Sequence, residues 1–243
     1  SISKLYDLRD LLTTPLLLEM MLFVLIKKPI DLNDSNLSIG PAALYRNYVY
    51  LHLDRDWEKG RIRQYLNKDE RLYFARGVAI AMLKNDNLEV SYEQVMSAIQ
   101  GTAKGFSDAR KTFIKEHIEE VTSDVQVCSF LTLKQDNVFE FIHKSFMEYF
   151  VADYIQSGLP DRKKIPELAT NLNYETLYFL GGFCIIDAHI SIALQYQLNQ
   201  FGHTGSGLYR RNIYGAILYS SQINSETSFS SCKIDYLRFK EKK

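Results

Sequence analysis

Near its middle the chain changes apolar period twice. The stretch VQVCSFLTLKQDNVFEFIH holds two alternating runs, Val125 to Leu133 and Val138 to Ile142, around a polar segment with Asp136-Asn137. Alternation at period two reads as strand, and two such runs around an Asp-Asn turn read as a β-hairpin. From Ser145 the spacing becomes helical, with Phe146, Tyr149, Phe150 and Tyr154 on one face. The joint is FEFIHKSFMEYF, residues 139 to 150, where seven of the twelve are large and apolar or aromatic and His143, Lys144 and Ser145 sit in the middle.

What precedes the hairpin is helical. Leu5, Leu8, Leu12, Leu16 and Met20 fall at helical spacing, broken at Thr13-Thr14-Pro15. Thr14 can cap and Pro15 suits a first helical turn, so a nearly all-apolar helix is expected from there to Ile26, ended by Lys27-Lys28-Pro29. Residues 30 to 40 are polar and loop-like. ALYRNYVYLHLDRDWEK and DERLYFARGVAIAMLKN both carry helical spacing, Ser91 with Gln94 caps YEQVMSAIQ, and Ser107-Asp108 opens ARKTFIKEHIEEVTS. Three helices followed by a hairpin are the order of a winged helix, to which the helix from Ser145 is an addition. Further helical segments run from Arg162 to about Phe201, closed by the linker GHTGSG. In the tail, Ile213, Leu218 and Ile223 lie five apart, as do Phe229, Ile234 and Phe239. That spacing is either the start of a square β-solenoid, with every fifth side chain inward, or a coincidence in an Ile- and Tyr-rich tail.

Composition narrows the partners. Twenty-nine basic residues balance twenty-nine acidic ones, so no net field draws nucleic acid or anionic membrane. The cysteines, Cys128, Cys184 and Cys232, are far apart, which speaks against a disulfide framework and a paired-cysteine zinc site and fits a reducing, cytoplasmic setting. The longest apolar run, Pro15 to Ile26, contains Glu19 and is shorter than the roughly 20 residues a membrane span needs. The start, SISKLYDLRD, has neither initiator Met nor signal-peptide layout, as expected of a segment of a longer parent.

Catalytic signatures are missing from the sequence. No GxxxxGK[ST] phosphate loop occurs among its twelve glycines and no strand ends in paired acidic residues to hold magnesium, so the chain alone is not expected to be an enzyme. His52, His117, His143, His189 and His203 form no HExxH or His-x3-His arrangement, and no metal site is expected. No GxSxG elbow appears, and no cysteine has a neighbouring histidine to make it a nucleophile. A stand-alone winged-helix DNA-binding regulator is the rival reading. Its recognition helix would be ARKTFIKEHIEEV, where Arg110, Lys111 and Lys115 are answered by Glu116, Glu119 and Glu120, a mixed surface that makes nucleic acid an unfavoured partner.

Three segments, LLTTPLLLEMM, ALYRNYVYLHLDRDWEK and VFEFIHKSFMEYFVADYI, together resemble the region that follows the nucleotide-binding core in NACHT-type STAND signal-transduction ATPases. The last is the most specific, because it combines residue types, spacing and the strand-to-helix switch. The resemblance spans roughly residues 5 to 157, and more loosely the helices to 201. It implies the end of a helical domain at 1–38, a winged helix at 39–158, a second helical domain at 159–203, and a linker with a pentapeptide-repeat-like tail at 204–243. The expected fold class is mainly α, with helical bundle segments around a winged-helix domain with a β-hairpin and the start of a β-solenoid at the C-terminus.

It also implies roles. Pro15, on its own residues a first-turn proline of a buried helix, would pack against the adenine of bound ADP. His143, on its own a junction histidine bonded to backbone, would reach the β-phosphate. The cofactor would be ADP or ATP, with Mg supplied by the NTPase core of the same parent. That core, self-oligomerisation and an unspecified trigger ligand are the implied partners, and the implied output is immune or antiviral defence signalling.

Overall fold

The computed structural model describes residues 15–27, 40–58, 65–128, 130–158 and 172–201. The expected helix over Leu5 to Leu12, the GHTGSG linker and the five-residue spacing of the tail lie outside them. The described fold is mainly helical with one small antiparallel sheet. The described residues fall into two compact units, one made of those up to Leu51 together with those from Ile155 onward, the other of those from His52 to Tyr154.

The first unit holds α1 (Pro15–Lys27), the first part of α2 (Pro41–Glu58), the end of α7 (Lys144–Ser157), α8 (Tyr174–Ile186) and α9 (Ala188–Phe201). Pro15 opens α1 and Lys27 occupies its last turn, where a cation meets the negative end of the helix dipole. Met20 and Val24 form its buried side, and Phe23 meets Tyr48 of α2 edge to face at 5.3 Å. Glu175 is the single charge in α8, a helix apolar on every side and accordingly buried, as in Leu180 and Phe183. Asn173 caps it, Oδ1 accepting from the Thr176 amide at 2.9 Å. Gly182 lets α2 and α8 approach closely, since a Cβ there would fall 2.7 Å from Cβ of Ala42. Around that contact Tyr45 packs edge to face on Phe179 at 4.8 Å and the Arg46 guanidinium lies 4.8 Å over Phe183. Among the described residues no single helix is long and apolar enough to cross a membrane.

The second unit runs α3 (Lys68–Asn85), β1 (Glu89–Ser91), α4 (Tyr92–Thr102), α5 (Asp108–Glu116), α6 (Ile118–Cys128), β2 (Leu131–Leu133), β3 (Val138–Phe141) and most of α7. The sheet order is β1-β3-β2, antiparallel throughout, with Val90 opposite Phe139 and Leu131 opposite Phe141. Phe139 and Phe141 face inward and Glu140 outward. Capping boxes begin two helices: Asn67 with Glu70 starts α3, and Ser91 with Gln94 starts α4 as expected.

Three local readings of the sequence change. Val125 to Cys128 is the last turn of α6 rather than the beginning of a strand, so the first hairpin strand is only Leu131–Leu133. Ile118, Val121 and Val125 already stand at helical spacing, and the buried Val121 and Val125 share one side of α6. The helix expected from Asp108 is two helices, broken at His117, whose φ of −118° and ψ of 35° leave the helical region. The third change is β1, three residues between two helices, which carries no periodic signal of its own.

Candidate functional site

The site begins with the aromatic floor beneath the β3–α7 joint. Phe130, between α6 and β2, takes φ 61°, a left-handed value that an aromatic side chain rarely adopts. Two contacts hold it there. Its carbonyl accepts the Ile142 amide at 2.8 Å, and its ring stacks on Phe146 of α7 with centroids 4.8 Å apart and planes within 8°. Phe150 and the ring of His52 complete the cluster around Phe130, at 5.9 and 4.9 Å. Phe146, Tyr149 and Phe150 are fully buried, as their helical face predicts. The backbone from Phe141 into α7 is therefore fixed on both sides of residue 143.

His143 caps α7. Its carbonyl accepts the Phe146 amide at 3.0 Å, and its Nδ1 lies 3.2 Å from the Ser145 amide and 2.6 Å from Ser145 Oγ. A backbone amide can only donate, so Nδ1 is the bare nitrogen of the neutral ring and Nε2 carries the hydrogen. The side chain is exposed, and its polar edge is a donor. Lys144 forms an i,i+4 ion pair at 3.2 Å with Glu148, whose side chain is nearly buried.

Pro15 lies in the first unit as the first residue of α1, with its ring exposed. It has the first-turn geometry its sequence context predicts, and its face is open to solvent. His143 belongs to the second unit.

Two basic side chains of the helix that would read DNA have partners within the chain. Arg110 clamps Glu70 with both Nε and Nη2 at 2.7 Å and donates to the Tyr65 carbonyl at 2.6 Å, while its guanidinium lies 4.5 Å over Phe113. Lys111 pairs with Asp108 at 3.1 Å. At the hairpin, Glu89 and Glu140 stand directly opposite each other and Lys134 bridges them at 3.1 and 2.6 Å. Its hydrogen bonds to Glu140 and Glu89 raise the Lys134 pKa above the ordinary lysine value.

Other titratable groups mark structure. Burial raises the Tyr92 phenol, helped by Glu119 and Glu120 nearby. Burial also pushes the Cys184 thiol up to about 12, the opposite of what a nucleophilic cysteine needs. Among the described residues no three His, Cys, Asp or Glu side chains gather to hold a metal ion.

Sequence reasoning singled out His143 and read its aromatic neighbours as core, which their burial bears out, but it missed two residues that contact the joint. Ser145 was not singled out, because histidine is not among the usual capping residues and H-x-S announces no cap. Nor was Phe130, because no glycine or asparagine at that position announces a left-handed residue. Comparison of the chain with protein-family models, with curated proteins and with solved structures finds no match.

Proposed function

We propose that this chain is the regulatory portion of a NACHT-like STAND ATPase, closing over bound ADP or ATP and coupling nucleotide state and ligand sensing to domain rearrangement and oligomerisation. The observation that carries the reading is the exposed His143, its Nδ1 taken by the Ser145 amide, at a joint packed by Phe130 and Phe146. An imidazole there donates a hydrogen bond to a phosphate oxygen, and its protonated form adds Coulomb attraction. The succession helix, strand, helix, helices and hairpin, with β1 paired to β3, supports a winged-helix reading of the second unit. Pro15, exposed at the head of α1, is assigned to the adenine face of the nucleotide. Hydrolysis and magnesium binding belong to the NTPase core of the parent, because this sequence has no phosphate loop. A contact made to ADP in one domain arrangement and lost in another biases that equilibrium by its own free energy.

The first test is the coding sequence upstream of residue 1. A GxxxxGK[ST] loop is expected there, and its absence sinks the reading. The second is nucleotide retention by the parent: His143→Ala should release ADP about 10- to 100-fold faster, the equivalent of one charge-assisted hydrogen bond. An unchanged release rate removes the clamp.

The DNA-binding alternative is weakened by Arg110, whose Nε and Nη2 are engaged with Glu70 and the Tyr65 carbonyl. A salt-sensitive shift of duplex DNA by the isolated chain at low ionic strength would restore it.

A further inference from the structure

We infer that Ser145 is the positioning residue of this site, fixing His143 as an outward hydrogen-bond donor. The inference rests on the proposed nucleotide contact for its consequence, but its structural content stands on this chain alone. A free neutral imidazole exchanges its hydrogen between two nitrogens and turns about two bonds. At His143 both freedoms are restricted by the same neighbour. The Ser145 amide points at Nδ1 from 3.2 Å, a weak bond that favours a bare nitrogen there without securing it alone. With Nδ1 bare, the 2.6 Å contact to Ser145 Oγ is a hydroxyl donating to the ring. Two donors converge on one acceptor, and the hydroxyl makes the shorter bond.

The hydrogen is thereby held on Nε2 of an exposed side chain, and its direction is fixed relative to the first turn of α7. A ligand meeting this edge must offer an acceptor, as a phosphate oxygen does. A divalent transition metal needs a bare ring nitrogen and would have to displace either the Ser145 bonds or the Nε2 hydrogen. Ser145 need not touch the ligand; it acts through His143. Supporting groups of this kind, bonded to the far nitrogen of a functional histidine, set its tautomer and ring orientation.

The test is the tautomer of His143, read from two-dimensional long-range proton–nitrogen NMR spectra of the ring-labelled chain above the histidine titration. Wild type should show Nε2 protonated and Nδ1 bare. Ser145→Ala should shift the ring toward a tautomer mixture, and Ser145→Thr, which keeps the hydroxyl, should restore the wild-type spectrum. A wild-type ring protonated on Nδ1, or identical spectra for wild type and Ser145→Ala, overturns the inference. Thermal melting of both variants checks that α7 stays folded. In the parent, Ser145→Ala should release ADP about three- to tenfold faster, the effect of one hydrogen bond, with Ser145→Thr near wild type. If the tautomer responds but the release rate of both His143→Ala and Ser145→Ala is unchanged, the nucleotide reading fails and the positioning role stands.

Discussion

Arg71 is 1% exposed, its Nη2 donates to Asp124 Oδ1 at 2.8 Å, and the other carboxylate oxygen accepts the Leu66 amide at 3.0 Å. One carboxylate thus ties α3, α6 and the chain entering α3 together. Removing only one partner strands a charge in the interior, whereas replacing both with apolar groups of similar volume does not. Asp124→Ala should therefore lower stability by about 3–5 kcal/mol, and the Arg71→Met, Asp124→Leu pair should recover most of it. Urea denaturation of wild type, both single variants and the double variant measures this; a single-variant cost below about 1 kcal/mol would show the pair to be as weak as a surface one. No periodic pattern announces such a pair, because an arginine and an aspartate 53 positions apart look like solvated charges until the fold brings them together. Pro15 and His143 were legible for the opposite reason: each lies at a helix start, where local sequence decides backbone conformation.

The crossing of α3 and α4 depends on a missing side chain. A Cβ on Gly77 would lie 3.2 Å from Cβ of Thr102 and closer still to its Oγ1. Alanine favours a helix interior by about 1 kcal/mol over glycine, but forcing an extra methyl into a packed crossing costs about 1–3 kcal/mol. Gly77→Ala should accordingly destabilise the second unit, and adding Thr102→Ala, which removes Oγ1 and Cγ2, should reverse the loss. Thermal melting of the two variants decides it; a Gly77→Ala that melts higher than wild type would mean that the crossing relaxes freely. The same scale explains which elements could be read. α1, α3, α4 and the start of α5 declare themselves by caps and spacing, since Pro15, Asn67, Ser91 and Ser107 act on backbone within three residues of themselves. The strand β1 has only Val90 turned inward and exists because β3 lies beside it, a tertiary cause with no local trace. Val125 misled because four residues of apolar alternation fit a strand and the end of a helix equally well, and packing of α6 decided the outcome.

For the molecule as a whole, charge and apolar surface act together. The formal net charge is zero and the isoelectric point is about 6.9, so near neutral pH no long-range repulsion keeps copies apart. The first unit meanwhile exposes Leu22 and Ile26 one turn apart on α1, with Leu18 one turn earlier, at 50%, 76% and 36% of their surface. An apolar stripe that water must cover favours association wherever electrostatic repulsion is absent. Light scattering of the isolated chain should therefore peak near the isoelectric point and fall as the pH moves to either side and net charge accumulates. The substitution pair Leu22→Glu, Ile26→Lys leaves net charge unchanged while making the stripe polar, and it should flatten the peak at pH 7. Both positions face solvent, so the melting temperature should move little. Charge and apolar surface are thereby tested separately: a peak that persists in the pair assigns the association to charge balance alone, and a pH-independent scattering that the pair abolishes assigns it to the α1 stripe alone.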